Sequence, residues 1–417
     1  MFQSCKILHS NVPHRPVVHK TKFRTQYGPE ATSECFTAVT NLRFGLIGTG
    51  FMGKAHAIAL RSVGTVFPNI AAPILECLVD SDLAKAANDA RAWGFQRSSD
   101  DWQAVCQDPD IDVVDICTPN HLHREMALVA AAAGKHIYCE KPLGLTGAES
   151  QEICQAAEAA GVRTSMGFNY ICNPMLVVAR KMIAAGEIGD VYNFRGCYQE
   201  DYLSDPNTPF SWRCLRSQGG SGALADLGTH LINMAEFLLG PIDRLFGTLT
   251  TVHSQRPDPV TGVLRDVENE DIAQVLMTFS SGSAGTMEIN RIATGRKCGL
   301  TFEIHGTKGS LVFDQERMNE LRVYRCDDPE GRRGHRTILS GPEHDDYANF
   351  CPAPGHGLGI NDLKVIEVRN LIQAIVEGTP VFSDFQNGWR VQTIVDAIER
   401  SHLNNEWVDV NQGEPAK

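Results

Sequence analysis

A strand-like run of apolar residues, Leu42 to Ile47, leads into Gly48-Thr49-Gly50-Phe51-Met52-Gly53, and no other stretch of the chain limits its fold as tightly. Gly48 permits a tight turn out of a strand, Gly50 lets a ligand approach the backbone, and Gly53 lets the following helix pack on the strand it has just left. The free amides that open such a helix face an anion, so a dinucleotide's pyrophosphate suits them. A single match of this kind is weak, but its surroundings agree with it: an Ala-rich stretch to Leu60 follows, and a second strand-like run, Ile74 to Val79, ends in Asp80. The Asp80 carboxylate can accept both hydroxyls of an adenosine ribose and would repel a 2′-phosphate, while Ser81-Asp82 offers no cation to receive one. NAD is therefore expected ahead of NADP. The segment also approaches a P-loop through Gly48, Gly53 and Lys54, yet Ala55 stands where a Mg²⁺-binding Ser or Thr is required.

At 417 residues the chain is long for one core, so two domains are expected. A net charge of −12 argues against a nucleic-acid partner, which needs a basic face. The 13 cysteines include no C-x-x-C pair, and reduced thiols in a cytoplasmic protein are the simplest account of them. No apolar stretch approaches the roughly 18 to 20 residues that cross a bilayer, so a soluble protein without a membrane partner is expected. Residues 1–41 set Lys6, Arg15, Lys20, Lys22 and Arg24 against Glu30 and Glu34 and show little apolar periodicity. They read as a mobile extension, whose composition fits disorder or an early start codon better than an organellar transit peptide.

From residue 42 to 166, apolar β-like runs (Leu42 to Ile47, Ile74 to Val79, Val113 to Cys117, His136 to Cys139, Val162 to Met166) alternate with helical ones (Leu83 to Trp93, His121 to Ala133, Gly147 to Ala160). That alternation predicts a doubly wound parallel α/β sheet, a Rossmann domain binding NAD. Over 167–417 the runs become longer and richer in β-formers: Gln274 to Phe279, Ala284 to Ile292, Leu300 to His305 and Leu311 to Phe313. They predict an α+β domain with an open antiparallel sheet, covered by helices near Met175 to Ala185, Asp226 to Leu239, Leu363 to Glu377 and Trp389 to Arg400.

Three further signals carry chemistry. Thr118-Pro119-Asn120, with His123, lies just past the carboxyl end of a strand, where open α/β sheets bind ligands. Glu140-Lys141-Pro142 ends the next strand. By itself Lys141 reads as a surface lysine; at that place it can put a positive charge where a substrate hydroxyl meets the nicotinamide ribose. Asp226-Leu227-Gly228-Thr229-His230 opens a helix, and a spacing of four sets Asp226 and His230 on one flank. Oxidation of an alcohol needs this pairing: as hydride leaves the carbinol carbon, a neutral imidazole takes the hydroxyl proton while Lys141 steadies the alkoxide. Asp and His at this spacing can also share a metal, but no third ligand accompanies them and none is expected.

With the glycine loop, these motifs resemble the Gfo/Idh/MocA family of sugar and polyol oxidoreductases from about Leu42 to Val410. The resemblance implies a Rossmann domain followed by an open-sheet domain, and a homodimer or homotetramer formed through that sheet. It implies catalytic roles for Lys141, Asp226 and His230, and coenzyme contacts from Gly48, Gly50, Phe51, Met52, Gly53, Asp80, Thr118, Asn120, His123, Glu140 and Lys141. The loop Phe210-Ser211-Trp212-Arg213 and the stretch Pro354 to Asp362 look most like the branch that oxidises the C3 hydroxyl of glucosides and levoglucosan. Substrate contacts are accordingly expected from Lys141, Asn169, Gln199, Trp212, Arg213, Asp226, His230 and His356, with Tyr198 and Tyr202 available to stack on a sugar face. Many members carry an Arg near Asn169 to Asn173, where this chain has none. Inositol oxidation is the nearest alternative, and redox-neutral, NAD-dependent glycoside cleavage or a non-catalytic sugar sensor are the others. Extra sequence between Gly64 and Ile74 has no counterpart in this reading.

Overall fold

The computed structural model describes residues 41–410, so the expected N-terminal extension lies outside the described residues except for Asn41. β1 (Arg43–Ile47) runs into α1 (Phe51–Val66), followed by β2 (Ile74–Val79), α2 (Leu83–Trp93), β3 (Arg97–Ser99), α3 (Trp102–Gln107), β4 (Val113–Ile116), α4 (His123–Ala132), β5 (His136–Cys139), α5 (Gly147–Ala159) and β6 (Thr164–Met166). The six strands are parallel, in the order β3-β2-β1-β4-β5-β6. This order reverses direction between β1 and β4, and the crevice there is where such sheets take ligands. β4 is buried along its whole length because helices cover both faces. β3, which the sequence reading omits, is a short polar edge strand with no apolar run to betray it. Of the residues between Gly64 and Ile74, Thr65 and Val66 complete α1, the rest form the connection to β2, and Phe67 at the helix end packs edge-on to Phe350 while Arg369 covers its ring face.

The second half runs through α6 (Pro174–Ala184), β7 (Val191–Gln199), α7 (Arg216–Gly219), α8 (Thr229–Leu239), β8 (Ile242–Thr250), a separate ribbon of β9 (Gln255–Pro257) and β10 (Leu264–Asp266), then β11 (Ile272–Phe279) and β12 (Ala284–Asn290). It continues with β13 (Gly299–Gly306), β14 (Gly309–Asp314), β15 (Glu320–Arg325), β16 (Arg336–Leu339), α9 (Tyr347–Phe350), α10 (Ile360–Val376), α11 (Phe385–Asn404) and β17 (Val408–Asp409). Nine strands form one sheet, β16-β15-β14-β13-β7-β12-β11-β8-β17, in which only β12 and β7 pair in parallel. Alternation along the strands sends Phe194, Gly196 and Tyr198 inward, together with Ala273, Val275 and Met277, and leaves Leu276 exposed on the other face. α8 and α11 cover the inner face. α10, expected to join them, instead packs on α1 and on the turn Asn169–Cys172, and α11 also reaches α5. The reason lies in the composition of α10: it is buried almost all round, Lys364 and Glu367 included, so it needs partners on more than one side. No helix among the described residues is long and apolar enough to cross a membrane.

Candidate active site

The glycine loop is built as its residue types demand. Gly48 has φ +107°, and a side chain there would come within 2.5 Å of the Cys117 carbonyl oxygen; one at Gly53 would overlap the Gly48 carbonyl. A Cβ on Gly50 would meet nothing within 4 Å, so the space above it is open to a ligand. α1 begins with no side-chain cap and no acid in its first turn, which leaves its amides free for an anion. These features fit the pyrophosphate of NAD. At the end of β2, Asp80 accepts hydrogen bonds from Thr49 Oγ1, the Asp82 N–H (3.1 Å) and Lys85 Nζ (3.3 Å). Partial burial opposes its charge, but these bonds hold the carboxyl below its usual range. Lys85 lies beyond Ser81-Asp82, the two residues after Asp80 in which the sequence offers no cation. The first turn of α2 brings Lys85 back over the loop.

A cleft of about 320 Å³ lies before the loop, lined by Gly50, Phe51, Met52, Thr118, Asn120, Glu140, Lys141, Trp212, Arg213 and Asp226, among others. Asn120 Nδ2 donates to the Gly219 carbonyl at 3.0 Å, tying the first half of the chain to the second across the cleft. His123, expected to contact the coenzyme, is instead wholly enclosed. Its two ring nitrogens lie 2.7 Å from Pro142 O and 2.9 Å from Thr118 O, so it staples two loops that line the cleft. Burial lowers its proton affinity, and a neutral ring donates to one of those carbonyls at a time.

Lys141 Nζ donates to Asp226 O (2.7 Å) and Asp226 Oδ1 (3.1 Å), Tyr202 OH donates to Oδ2 (2.5 Å), and Arg213 Nε stands 3.5 Å from Oδ2. Burial penalises the Asp226 charge, yet Lys141, Arg213 and Tyr202 together hold the carboxyl far below the ordinary range. Asp226 sits in a π-helical turn, Leu224–Gly228, that feeds α8. His230, in the first turn of α8, packs its ring on Tyr170 (centroids 4.5 Å apart), with Phe168 edge-on and Tyr198 nearby. Its Nδ1 is buried with no protein partner. Burial first, and the Lys141 ammonium second, push its pKa well below 6.5, so the imidazole is neutral at neutral pH. Asp226 directs its oxygens to Lys141, Tyr202 and Arg213, and aromatic packing rather than Asp226 fixes the His230 ring.

Below Lys141 lies a cluster the sequence reading did not assemble. Glu140 Oε1 accepts from His56 Nε2 (2.9 Å) and Lys364 Nζ (2.6 Å), while Oε2 accepts the Lys141 N–H (3.3 Å). His56 Nδ1 meets Asp115 Oδ1 at 2.8 Å, Lys364 meets Glu367 Oε2 at 2.8 Å, and Tyr138 OH donates to Glu367. Burial opposes the His56 charge, but Asp115 and the two carboxylate hydrogen bonds raise its pKa to about 9. Glu140 is pulled well below its usual range by Lys364 and His56 against its own desolvation. The signal that could have exposed the cluster is Lys364 and Glu367, three apart on buried positions of an apolar helix. Cys117 Sγ lies with His56 and Asp115 ligand atoms within 4.8 Å of one another, but His56 has both nitrogens committed to carboxylates.

The remaining substrate-side residues divide. Trp212 and Arg213 border the cleft, with the guanidinium 4.4 Å over the indole. Asn169 is buried in the turn that packs on α8, its Nδ2 unpaired. Gln199 faces away: as the residue after inward-pointing Tyr198, it lies on the outer face of the sheet and donates to Glu288 at 2.7 Å. His356 is exposed in the loop before α10, where the Tyr347 hydroxyl holds only its backbone. Tyr198 lies beneath His230 rather than on the cleft surface, bonded to Tyr170 OH (3.0 Å) and Glu200 (2.9 Å).

Comparison with known proteins agrees with this architecture. Residues 42–168 match the model of an oxidoreductase family with an NAD-binding Rossmann fold, and residues 176–312 match the GFO/IDH/MocA C-terminal domain. Levoglucosan dehydrogenase of Pseudarthrobacter phenanthrenivorans is 42% identical over 89% of this chain and 99% of its own length. A solved levoglucosan dehydrogenase in complex with NADH and levoglucosan superposes with a TM-score of 0.87 at 42% identity, covering 89% of this chain and 100% of that one. Inositol 2-dehydrogenase of Rhizobium meliloti is 27% identical over 86% of this chain and 96% of its own.

Proposed function

Because the chain belongs to the Gfo/Idh/MocA family of NAD-binding oxidoreductases, we propose that it oxidises a secondary hydroxyl, at C3 of a pyranoside or of an anhydrosugar such as levoglucosan, to the ketone. The observation that carries this reading is the Lys141–Asp226 pair lining the cleft, with a buried His230 behind it whose Nδ1 has no protein partner and whose pKa is held below the ordinary value by burial and by Lys141. Gly48, Gly50 and Gly53 with Asp80 would hold NAD⁺, which accepts the hydride when bound. His230 takes the hydroxyl proton, and its depressed proton affinity ensures that it is free to do so. Lys141 faces the oxygen on which negative charge develops, with its ammonium steered by Asp226. Trp212 and Arg213 form the wall against which a sugar packs. The outer sheet face, with Leu276 exposed and Phe246 lining the same groove, is the surface we assign to contact between copies of the chain.

The test is NADH absorbance with purified protein, NAD⁺ and a panel of levoglucosan, methyl glucosides, glucose, xylose and inositols at alkaline pH. A signal with levoglucosan or glucosides supports the C3 reading. A signal confined to inositols replaces it with the cyclitol reading, which the inositol 2-dehydrogenase relative favours. Silence across the panel with NAD bound overturns both and makes aglycone release the next assay.

A further inference from the structure

Asp80 is the group that sorts the two nicotinamide coenzymes, and in this structure its charge is not free. Asp82 caps α2 by accepting the Lys85 N–H at 3.0 Å, and this cap aims the Lys85 side chain back across the glycine loop. Lys85 Nζ then lies 3.1 Å from Thr49 O, 3.3 Å from Asp80 Oδ2 and 3.4 Å from Asp89 Oδ2, and it also bonds Thr49 Oγ1. The side chain is 47% exposed, so it can move without disturbing the core. An unpaired carboxylate at the end of β2 excludes a 2′-phosphate by repulsion, whereas a nearby cation accommodates one. Here the acid and the cation occupy one place. Asp89 lies on the other side of the ammonium, so two acids share one cation and the balance still favours a ribose with free hydroxyls.

We propose that Lys85 is a coenzyme-specificity residue: its ammonium, set between Asp80 and Thr49, receives the 2′-phosphate of NADP, so the site admits NADP behind NAD instead of excluding it. The proposal rests on the reading of Asp80 as the ribose-binding acid. When the 2′-phosphate enters, Lys85 exchanges its contact with Asp80 for one with the phosphate, a charge-assisted hydrogen bond for which a compact ammonium on a flexible stem is suited. With NAD, the ribose hydroxyls take Asp80, and Lys85 keeps Asp89 as its partner.

The experiment is calorimetric titration of the full chain with NAD⁺, NADP⁺, 5′-AMP and adenosine 2′,5′-bisphosphate, for the wild type, Lys85→Gln and Lys85→Glu. Thermal melts confirm that each variant is folded. The expected result is measurable NADP⁺ binding by the wild type. In Lys85→Gln its Kd, and that of the bisphosphate, should rise about tenfold, a typical weight for one charge-assisted contact, while NAD⁺ and 5′-AMP stay within about twofold. Lys85→Glu should extend the loss. Equal weakening of NAD⁺ and NADP⁺, an unchanged ratio, or no NADP⁺ binding by the wild type overturns the proposal. Failure of NAD⁺ itself to bind the wild type would instead remove the coenzyme reading on which it stands.

Discussion

Glu140 and Lys141 are neighbours in the chain and belong to two charge clusters of opposite character. Below the cleft, Asp115, His56, Glu140, Lys364 and Glu367 alternate acid and base in one buried line, and each cation touches two carboxylates. Beside the cleft, Lys141 and Arg213 share the single carboxylate of Asp226, and His230 is uncharged with Nδ1 unpartnered. In the first cluster both cations are committed to carboxylates, and they hold Glu140, and through it the Lys141 backbone, in place. The second keeps capacity in reserve, which is the condition for accepting a proton from a substrate. The two clusters thus differ in their bases: His56 has both ring nitrogens on carboxylates, whereas His230, the proposed proton acceptor, has Nδ1 without a protein partner.

Truncation on the open side should damage rate and leave the fold alone. His230→Ala is expected to lower kcat by about 10² to 10⁴ with NAD⁺ affinity nearly unchanged, the ordinary cost of losing a general base. Steady-state kinetics with calorimetry of NAD⁺ check this, and unaltered turnover would remove His230 from its role. Truncation on the sealed side should do the reverse. Lys364→Met strands the Glu140 and Glu367 carboxylates in the interior and is expected to cost about 3 to 5 kcal/mol in chemical denaturation. A loss below about 1 kcal/mol would mean that water reaches the cluster and that the contrast with the cleft is false.

The sealed side also sets a pH dependence. His56 has its pKa raised to about 9, against about 6.5 in an unfolded chain, so its stabilising charge is complete below pH 6.5 and is lost as pH rises towards 9. The wild type is expected to lose about 3 kcal/mol of stability across that window from this group, and His56→Gln should flatten the slope. A flat wild-type profile would contradict the raised value. A smaller effect falls on the coenzyme: Asp80→Ala should weaken NAD⁺ by about 1.5 to 3 kcal/mol, the range for hydrogen bonds to a charged group. An equal loss for NADP⁺ would break the link between Asp80 and the ribose hydroxyls.

The two clusters were not equally legible in the sequence. Lys141, Asp226 and His230 stand in short motifs whose neighbours announce them, and the apolar runs that became β2 and β5 have the ends that were read. The sealed cluster draws on α1, β4, β5 and α10, and no local pattern joins residues 56, 115, 140, 364 and 367. Lys85 was hidden by helix geometry, since three residues into α2 is a long step along the chain and a short one in space. Gln199 was misplaced by one residue of phase, and on a strand one residue is the difference between the two faces.

Gln199 therefore supplies the mildest and most discriminating prediction, because it lies on β7 next to Tyr198, which packs beneath His230, and yet faces the other way. Gln199→Ala removes the 2.7 Å bond to Glu288 on the open face and touches nothing in the cleft. Its kcat/KM for the sugar should stay within about twofold, since a surface substitution away from a site is worth about half a kcal/mol or less. Under the proposed contact between copies of the chain on that face, light scattering on a dilution series should show the variant dissociating at higher concentration than the wild type. A rise in sugar KM with the assembly intact would put Gln199 back at the substrate, and would mean that the pleat of β7 turns over in the working enzyme.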